Sequence, residues 1–86
     1  MPAQSYAEHY MRFDRIDTMP ESEVRALLAK HGFTIANMNY RTTSDGSSFE
    51  YRMVIRTTDP SNRARLAESL RRLHAVREFR ISPTGD

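Results

Sequence analysis

The chain has 86 residues, 38% hydrophobic and 28% charged, a composition typical of one small globular domain with a single core. It contains no cysteine, which excludes disulfides, thiolate metal sites and cysteine nucleophiles. Thirteen basic residues face eleven acidic ones, and this net charge of +2 is a weak indication of nucleic-acid binding.

The first strand is predicted over residues 5–16, where apolar and polar residues alternate from His9 onward. Its inward residues are Met11 and Phe13, and its outward residues are Tyr10, Arg12 and Asp14. Thr18 and Glu21 have the spacing of a capping box, so we expect a helix from residue 19 or 20 to His31. Gly32 follows as the left-handed residue that ends it.

A hairpin is predicted in the middle of the chain. Asp45 and Gly46 form a turn signature between a strand over residues 33–43 and a strand over residues 48–57. The later strand places Phe49, Tyr51, Met53 and Ile55 on one face, and Glu50, Arg52, Val54 and Arg56 on the other. Apolar residues change parity within the earlier strand, which predicts a bulge near Asn37.

The last third of the sequence predicts a second helix and a fourth strand. Asp59 is the expected N-cap, and the helix runs to about His74 with Leu66, Leu70 and Leu73 as its apolar stripe. Residues 76–82 alternate, with Phe79 and Ile81 inward and Glu78 and Arg80 outward. We expect Pro83 to end this strand.

The element order βαββαβ predicts an α+β fold of the ferredoxin-like (ACT-like) type. Right-handed crossovers give a four-stranded antiparallel sheet in the order 4-1-3-2, with two helices on one face. We expect one domain over residues 6–82, a disordered segment over residues 1–5 and a tail over residues 83–86. The second face of the sheet is open.

The residues argue against several functions that occur on this topology. RNA recognition needs aromatic side chains on the open face, but turning Phe49 and Tyr51 outward would bury Glu50, Arg52 and Arg56. We therefore expect no nucleic-acid partner. The three histidines lack ligand spacing, and no phosphate loop or nucleophile elbow occurs, so no catalytic residue, metal site or cofactor is predicted and an enzyme is not expected.

The run from Phe49 to Arg56, the leucine helix after Asp59-Pro60 and the segment 73–79 together resemble the C-terminal domain of the MgtC/SapB family. The first helix, followed by Gly32-Phe33-Thr34-Ile35, is similar as well. The resemblance implies a non-catalytic regulatory or interaction domain of a membrane protein linked to magnesium homeostasis. It also implies a cytoplasmic location, with anchoring in the inner or plasma membrane by a preceding part that is missing here.

A free-standing ACT-like sensor of a small ligand is the alternative function. ACT domains that bind amino acids do so at a glycine-containing turn after the first strand, and residues 17–21 contain no glycine. Pro20 also removes a donor that a ligand carboxylate would use. No ligand-binding residue is therefore carried over.

The open sheet face is the surface on which we expect function, and its mixed charges have two interpretations. Cross-strand ion pairs on a solvated face are one. The other is an interface made by Tyr10, Arg12, Arg52, Val54, Arg56 and Arg80. The partners expected for it are a second copy of the chain, joined through the sheet face or edge, the chain's own membrane domain, or another protein.

Overall fold

The computed structural model describes residues 3–84 as a four-stranded antiparallel sheet with two helices. The elements are β1 (Ser5–Asp14), a 3-10 turn (Arg15–Asp17), α1 (Glu21–Lys30), β2 (Thr34–Thr42), β3 (Ser48–Thr57), α2 (Asn62–Arg71) and β4 (Val76–Thr84). The strand order β2-β3-β1-β4 is the predicted order, and the ferredoxin-like α+β fold is confirmed. The terminal segments predicted over residues 1–5 and 83–86 lie partly outside the described residues, and their inner ends, Ser5 and residues 83–84, are in strands.

The connection between β1 and α1 differs from the prediction. The strand ends at Asp14, two residues early, because the chain turns there into the 3-10 segment. Thr18 Oγ1 closes that turn by donating to the carbonyl oxygens of Asp14 and Arg15, each at 3.1 Å. The predicted capping box is therefore wrong, and α1 begins at Glu21 with Pro20 as its N-cap.

The hairpin of β2 and β3 has the predicted turn and the predicted bulge. β3 matches its expected range, while β2 is one residue shorter at each end. The register shifts between Ala36 and Asn39, and Asn37 takes the left-handed conformation at φ 56°. This shift allows both Ile35 and Met38 to pack against the core, although their parities differ.

The second helix begins later and ends earlier than expected. Its first residue is Asn62, and Ser61 is the N-cap. Asp59 instead forms a turn before the helix, where its Oδ1 accepts hydrogen bonds from the amide and the hydroxyl of Ser61. β4 continues through Pro83 to Thr84, contrary to the prediction, because β4 is an edge strand and Pro83 requires no partner on its outer side.

One core joins the inner sheet face to both helices. Its fully buried side chains are Ala7, Met11, Phe13, Val24, Leu28, Ile55, Leu66 and Leu70, with Phe33, Tyr51 and Met53 nearly buried. Phe49 is half-buried and packs edge-on against Tyr51, with ring centroids 5.3 Å apart. The predicted phase of β3 is confirmed, so the aromatic pair faces the helices and the opposite face stays open.

Candidate functional site

The open face of the sheet is organised in rows, because the antiparallel register places one residue of each strand opposite its neighbours. We call one row the arginine row, which contains Asn39, Arg52, Tyr10 and Arg80 across the four strands. The carboxylate row beside it contains Arg41, Glu50, Arg12 and Glu78. On its other side the short row contains Ala36, Val54, Glu8 and Ser82.

The carboxylate row is a series of cross-strand ion pairs. Glu78 receives Arg12 Nη2 at 2.6 Å on one oxygen and the hydroxyl of Tyr10 on the other. Glu50 receives Arg52 Nε at 3.2 Å and lies 3.6 Å from Arg41 Nη1. These contacts agree with the interpretation of the mixed charges as ion pairs for this row.

Glu50 departs from the expectation of a solvated residue, because it is only 5% exposed. It lies in the central strand β3, where Arg41 reaches it from the neighbouring strand β2 and Arg52 reaches it from two residues further along β3. A buried carboxylate is tolerated when cations and hydrogen bonds compensate for its lost hydration. Glu50 therefore holds two arginines in place from beneath the surface.

The arginine row is oriented by the carboxylate row. Glu50 fixes Nε of Arg52, and the guanidinium carbon of Arg52 lies 5.0 Å from the ring centroid of Tyr10. The hydrogen bond to Glu78 in turn fixes the Tyr10 ring and, together with burial and nearby carboxylates, raises the pKa of its hydroxyl. Within residues 3–84, the side chain of Arg80 makes no ion pair or hydrogen bond.

A depression of about 440 Å³ lies where the arginine row meets the short row. Side chains of Glu8, Tyr10, Asn37, Asn39, Arg52, Val54, Arg80 and Ser82 line it, and the strands at His9 and Met53 complete the lining. Val54 and Ser82 are short, while Arg52, Tyr10 and Arg80 are long and stand along one side. This difference in side-chain length produces the depression.

The six residues predicted for an interface all belong to the open face, but the depression gathers only four of them. Tyr10, Arg52, Val54 and Arg80 line it. Arg12 instead forms an ion pair with Glu78 in the carboxylate row. Arg56 pairs in register with Tyr6 and Thr34, one row beyond the short row.

Sequence reasoning missed four lining residues: Glu8, Asn37, Asn39 and Ser82. Glu8 has the parity of Tyr10, and extending the alternation by one more pair would have found it. Asn37 lies in the bulge, where parity is lost, and Asn39 directly follows it; Asn39 Nδ2 donates to the Asn37 carbonyl at 2.8 Å. Ser82 likewise has the parity of Arg80, and the register of β4 against β1 places it beside Glu8.

His9 lies beneath the depression on the inner side of the sheet and is 2% exposed. Its Nδ1 donates to the backbone oxygen of Arg80 at 2.8 Å, while Nε2 is buried with no partner among the described residues. Burial lowers the pKa of this imidazole, so His9 is neutral and links β1 to β4 directly behind Arg80.

Two properties of residues 3–84 complete the description of the site and its surroundings. No three histidine or carboxylate side chains lie close enough together to hold a metal ion. Neither of the two described helices is long and apolar enough to cross a membrane.

Comparisons with known proteins give a likeness at the level of fold. No protein-family model matches the sequence, and no similar sequence was found among curated proteins. The solution structure of the C-terminal domain of the MgtC protein from Mycobacterium tuberculosis superimposes with a TM-score of 0.67 at 13% identity. The match covers 93% of this chain and 87% of that one. The chain therefore has the fold of an MgtC C-terminal domain, as its resemblance implied.

The site combines side chains oriented by ion pairs with guanidinium donors that have no acceptor among residues 3–84. Glu50 and Glu78 orient Arg52 and Tyr10, and Arg80 lies across Tyr10 from Arg52. Such a surface can bind an acidic group or receive a protein of complementary charge.

Proposed function

We propose that this chain is a non-catalytic regulatory or interaction domain of an MgtC-like membrane protein linked to magnesium homeostasis, acting on the cytoplasmic side. The observation that carries the proposal is the structural match to the MgtC C-terminal domain over 93% of the chain. The apolar patterns of β3 and α2, from which the family resemblance was drawn, lie in the core and support it.

We further propose that the domain works through the open sheet face. The predicted interface residues lie on that face, and Val54 is half-buried near its centre. Partners that fit are a second copy, the protein's own membrane part or another protein with acidic groups, because Arg56 and Arg80 make no ion pair within the described residues.

Growth at limiting magnesium tests this function. Cells of the source organism from which this coding segment has been deleted are complemented with the wild type, with Val54→Glu or with the matched control Ala26→Glu. Ala26 is exposed on α1, away from the open face, so the control adds the same charge elsewhere. We expect the wild type and the control to restore growth and Val54→Glu to fail. Equal growth of the deletion strain and the wild type would contradict the magnesium link.

Two further measurements make the test specific. Circular dichroism of both purified variants shows whether they fold, and Arg56→Glu replaces Val54→Glu if the latter unfolds. Light scattering of the 86-residue chain measures its mass. An oligomer that persists in both face variants would exclude the open face as its interface. An antibody against this chain is expected to detect the native protein in washed membranes, and its recovery only in the soluble fraction would refute anchoring.

The alternative, an ACT-like sensor of a small ligand, is favoured by a different observation. The depression on the open face is concave and polar, and its volume falls in the range of roughly 300 to 1,000 Å³ that small-molecule sites occupy. This second function places the ligand on the sheet and away from the turn after β1.

A further inference from the structure

The depression on the open face carries more positive charge than the carboxylate row beside it. In the carboxylate row every charged side chain has a partner of opposite sign. Around the depression the balance differs, because Arg80 is unpaired within residues 3–84 and Arg52 shares its carboxylate with Arg41. Among the described residues, Glu8 is the one acid that lines the depression, and Arg52 and Arg80 are its two guanidinium groups.

The guanidinium of Arg52 can bind an additional acceptor without changing its orientation. Its Nε is bonded to Glu50 and its planar group is held at the ring of Tyr10, so its position is fixed before any ligand arrives. Of the hydrogen bonds found among the described residues, that from Nε is the only one made by its guanidinium, which leaves the terminal nitrogens for other acceptors. A guanidinium whose orientation is already set loses little further entropy on binding.

The register sets the separation of the two arginines. Arg52 and Arg80 lie directly on either side of Tyr10 in adjacent strands. Their Cα atoms are therefore two strand spacings apart, about 10 Å, which two extended arginine side chains bridge from both sides. An anionic group above Tyr10 is within reach of both guanidinium groups.

We infer that the depression binds a small organic anion, with its carboxylate or phosphate group between the guanidinium groups of Arg52 and Arg80. Both kinds of group match the paired donors of a guanidinium. Glu8, on the opposite side, is acceptor-only when ionised, so it selects ligands that also carry a hydroxyl or amino donor. The predicted class is thus a hydroxy acid, an amino acid or a sugar phosphate, bound on the sheet face.

This inference deepens the small-ligand alternative and is independent of the membrane-protein proposal. It is tested on the isolated chain, with no partner present. A negative titration result would not contradict the proposed link to magnesium. A negative growth result would not contradict the anion site.

The test is a titration of the 15N-labelled chain followed by two-dimensional NMR. The probes are sodium phosphate, glycerol phosphate, acetate and lactate, each compared with sodium chloride at equal ionic strength. We expect saturable shifts at Ser82 and at Nε of Arg52, with glycerol phosphate or lactate binding more tightly than phosphate or acetate. Comparing the two phosphate probes with the two carboxylate probes shows which acidic group the site binds.

Three variants distinguish binding at a specific site from a general effect of ionic strength. Arg80→Gln and Arg52→Gln are each expected to weaken binding about tenfold or more, as loss of a charged hydrogen bond does. Arg56→Gln is the matched control, because it removes the same charge from the same face outside the depression. We expect it to leave the affinity unchanged within about twofold. Shifts that follow chloride, or equal weakening by Arg56→Gln and Arg80→Gln, would overturn the inference.

Discussion

His9 offers a direct test of how the sheet is held against the core, because it is a buried titratable group and one of its ring nitrogens has no partner among residues 3–84. We consider the variant His9→Asn, whose side-chain amide nitrogen replaces the Nδ1 donor to the Arg80 carbonyl and does not titrate. Asparagine is smaller and leaves a gap, which lowers stability at every pH. The informative quantity is therefore the pH dependence of the free energy of unfolding.

The direction of that dependence follows from the lowered pKa of His9. The unfolded chain takes up a proton as the pH falls through about 6.5, while the folded chain does so only at lower pH. The contribution of His9 to stability is thus fully present above the pKa of the unfolded chain. It declines as the pH falls from that pKa to the lower pKa of the folded chain. One pH unit below 6.5, the loss is at most about 1.4 kcal/mol for one proton.

Urea unfolding followed by circular dichroism between about pH 5 and pH 7.5 isolates this contribution. Hydrogen bonds from Tyr40 and Arg71 lower the pKa values of Glu21 and Glu68, and their stabilising effects are lost as the pH falls below about 4.5, outside the window. We expect the wild type to lose more stability on acidification than His9→Asn.

The control His74→Gln removes an exposed histidine at the end of the α2 connection. It distinguishes the effect of the buried site from the loss of any one histidine. If His9→Asn and the wild type give parallel curves between pH 7.5 and pH 5, the argument from burial is refuted.

Three further substitutions test the site, the core and a turn. Glu50→Gln removes the buried charge beneath the arginines and should lower the free energy of unfolding by about 1 to 3 kcal/mol. The same substitution should shift the Nε resonance of Arg52, and an unchanged resonance would show that Glu50 does not orient that side chain. Leu28→Ala deletes a fully buried side chain and should cost about 2 to 5 kcal/mol in urea unfolding; a smaller loss would mean that the core closes around the gap. Gly32→Ala forces a residue with a Cβ to φ 87° and places that atom 2.6 Å from Asn62 Nδ2, so a melting temperature lower by several degrees is expected, and an unchanged one would contradict this geometry.

The strand β3 was predicted to the residue, and the reason is physical. Period-two alternation with one buried face admits a single phase, since a shift by one residue would bury Arg52 and expose Met53. That phase also fixed which face is open. The bulge at Asn37 was predicted for the same reason, because apolar residues on both parities of β2 require a change of register.

The helix starts were predicted less well, because several polar residues near each start compete for the same donors. Thr18 has the spacing of a cap, yet its hydroxyl closes the 3-10 turn that takes the chain out of β1. Asp59 likewise bonds to Ser61 and starts the turn that precedes α2. Local patterns identify such residues as caps, but the path of the chain between strand and helix decides which role they take.

Two thirds of the predicted interface residues line the depression, and the residues that sequence analysis missed lie in β1, β2 and β4. Membership of a row depends on registers between β2, β3, β1 and β4, and no single strand contains that information. Ser82 and Glu8 are ordinary surface residues when each strand is considered alone. They line the depression because the register places Ser82 beside Glu8 and Glu8 beside Val54.

Glu50 shows how charge on an open sheet face differs from charge on a simple solvated surface. Alternation places it outward, but it cannot report that Arg41 and Arg52 from adjacent positions cover it. One carboxylate shared by two arginines leaves positive charge unbalanced, and the ring of Tyr10 holds that charge at the rim of the depression. The ion pairs and the interface were alternative interpretations of this face, and the proposed binding site uses both. The paired carboxylate row fixes the geometry, and the arginine row beside it retains donors for a ligand or partner.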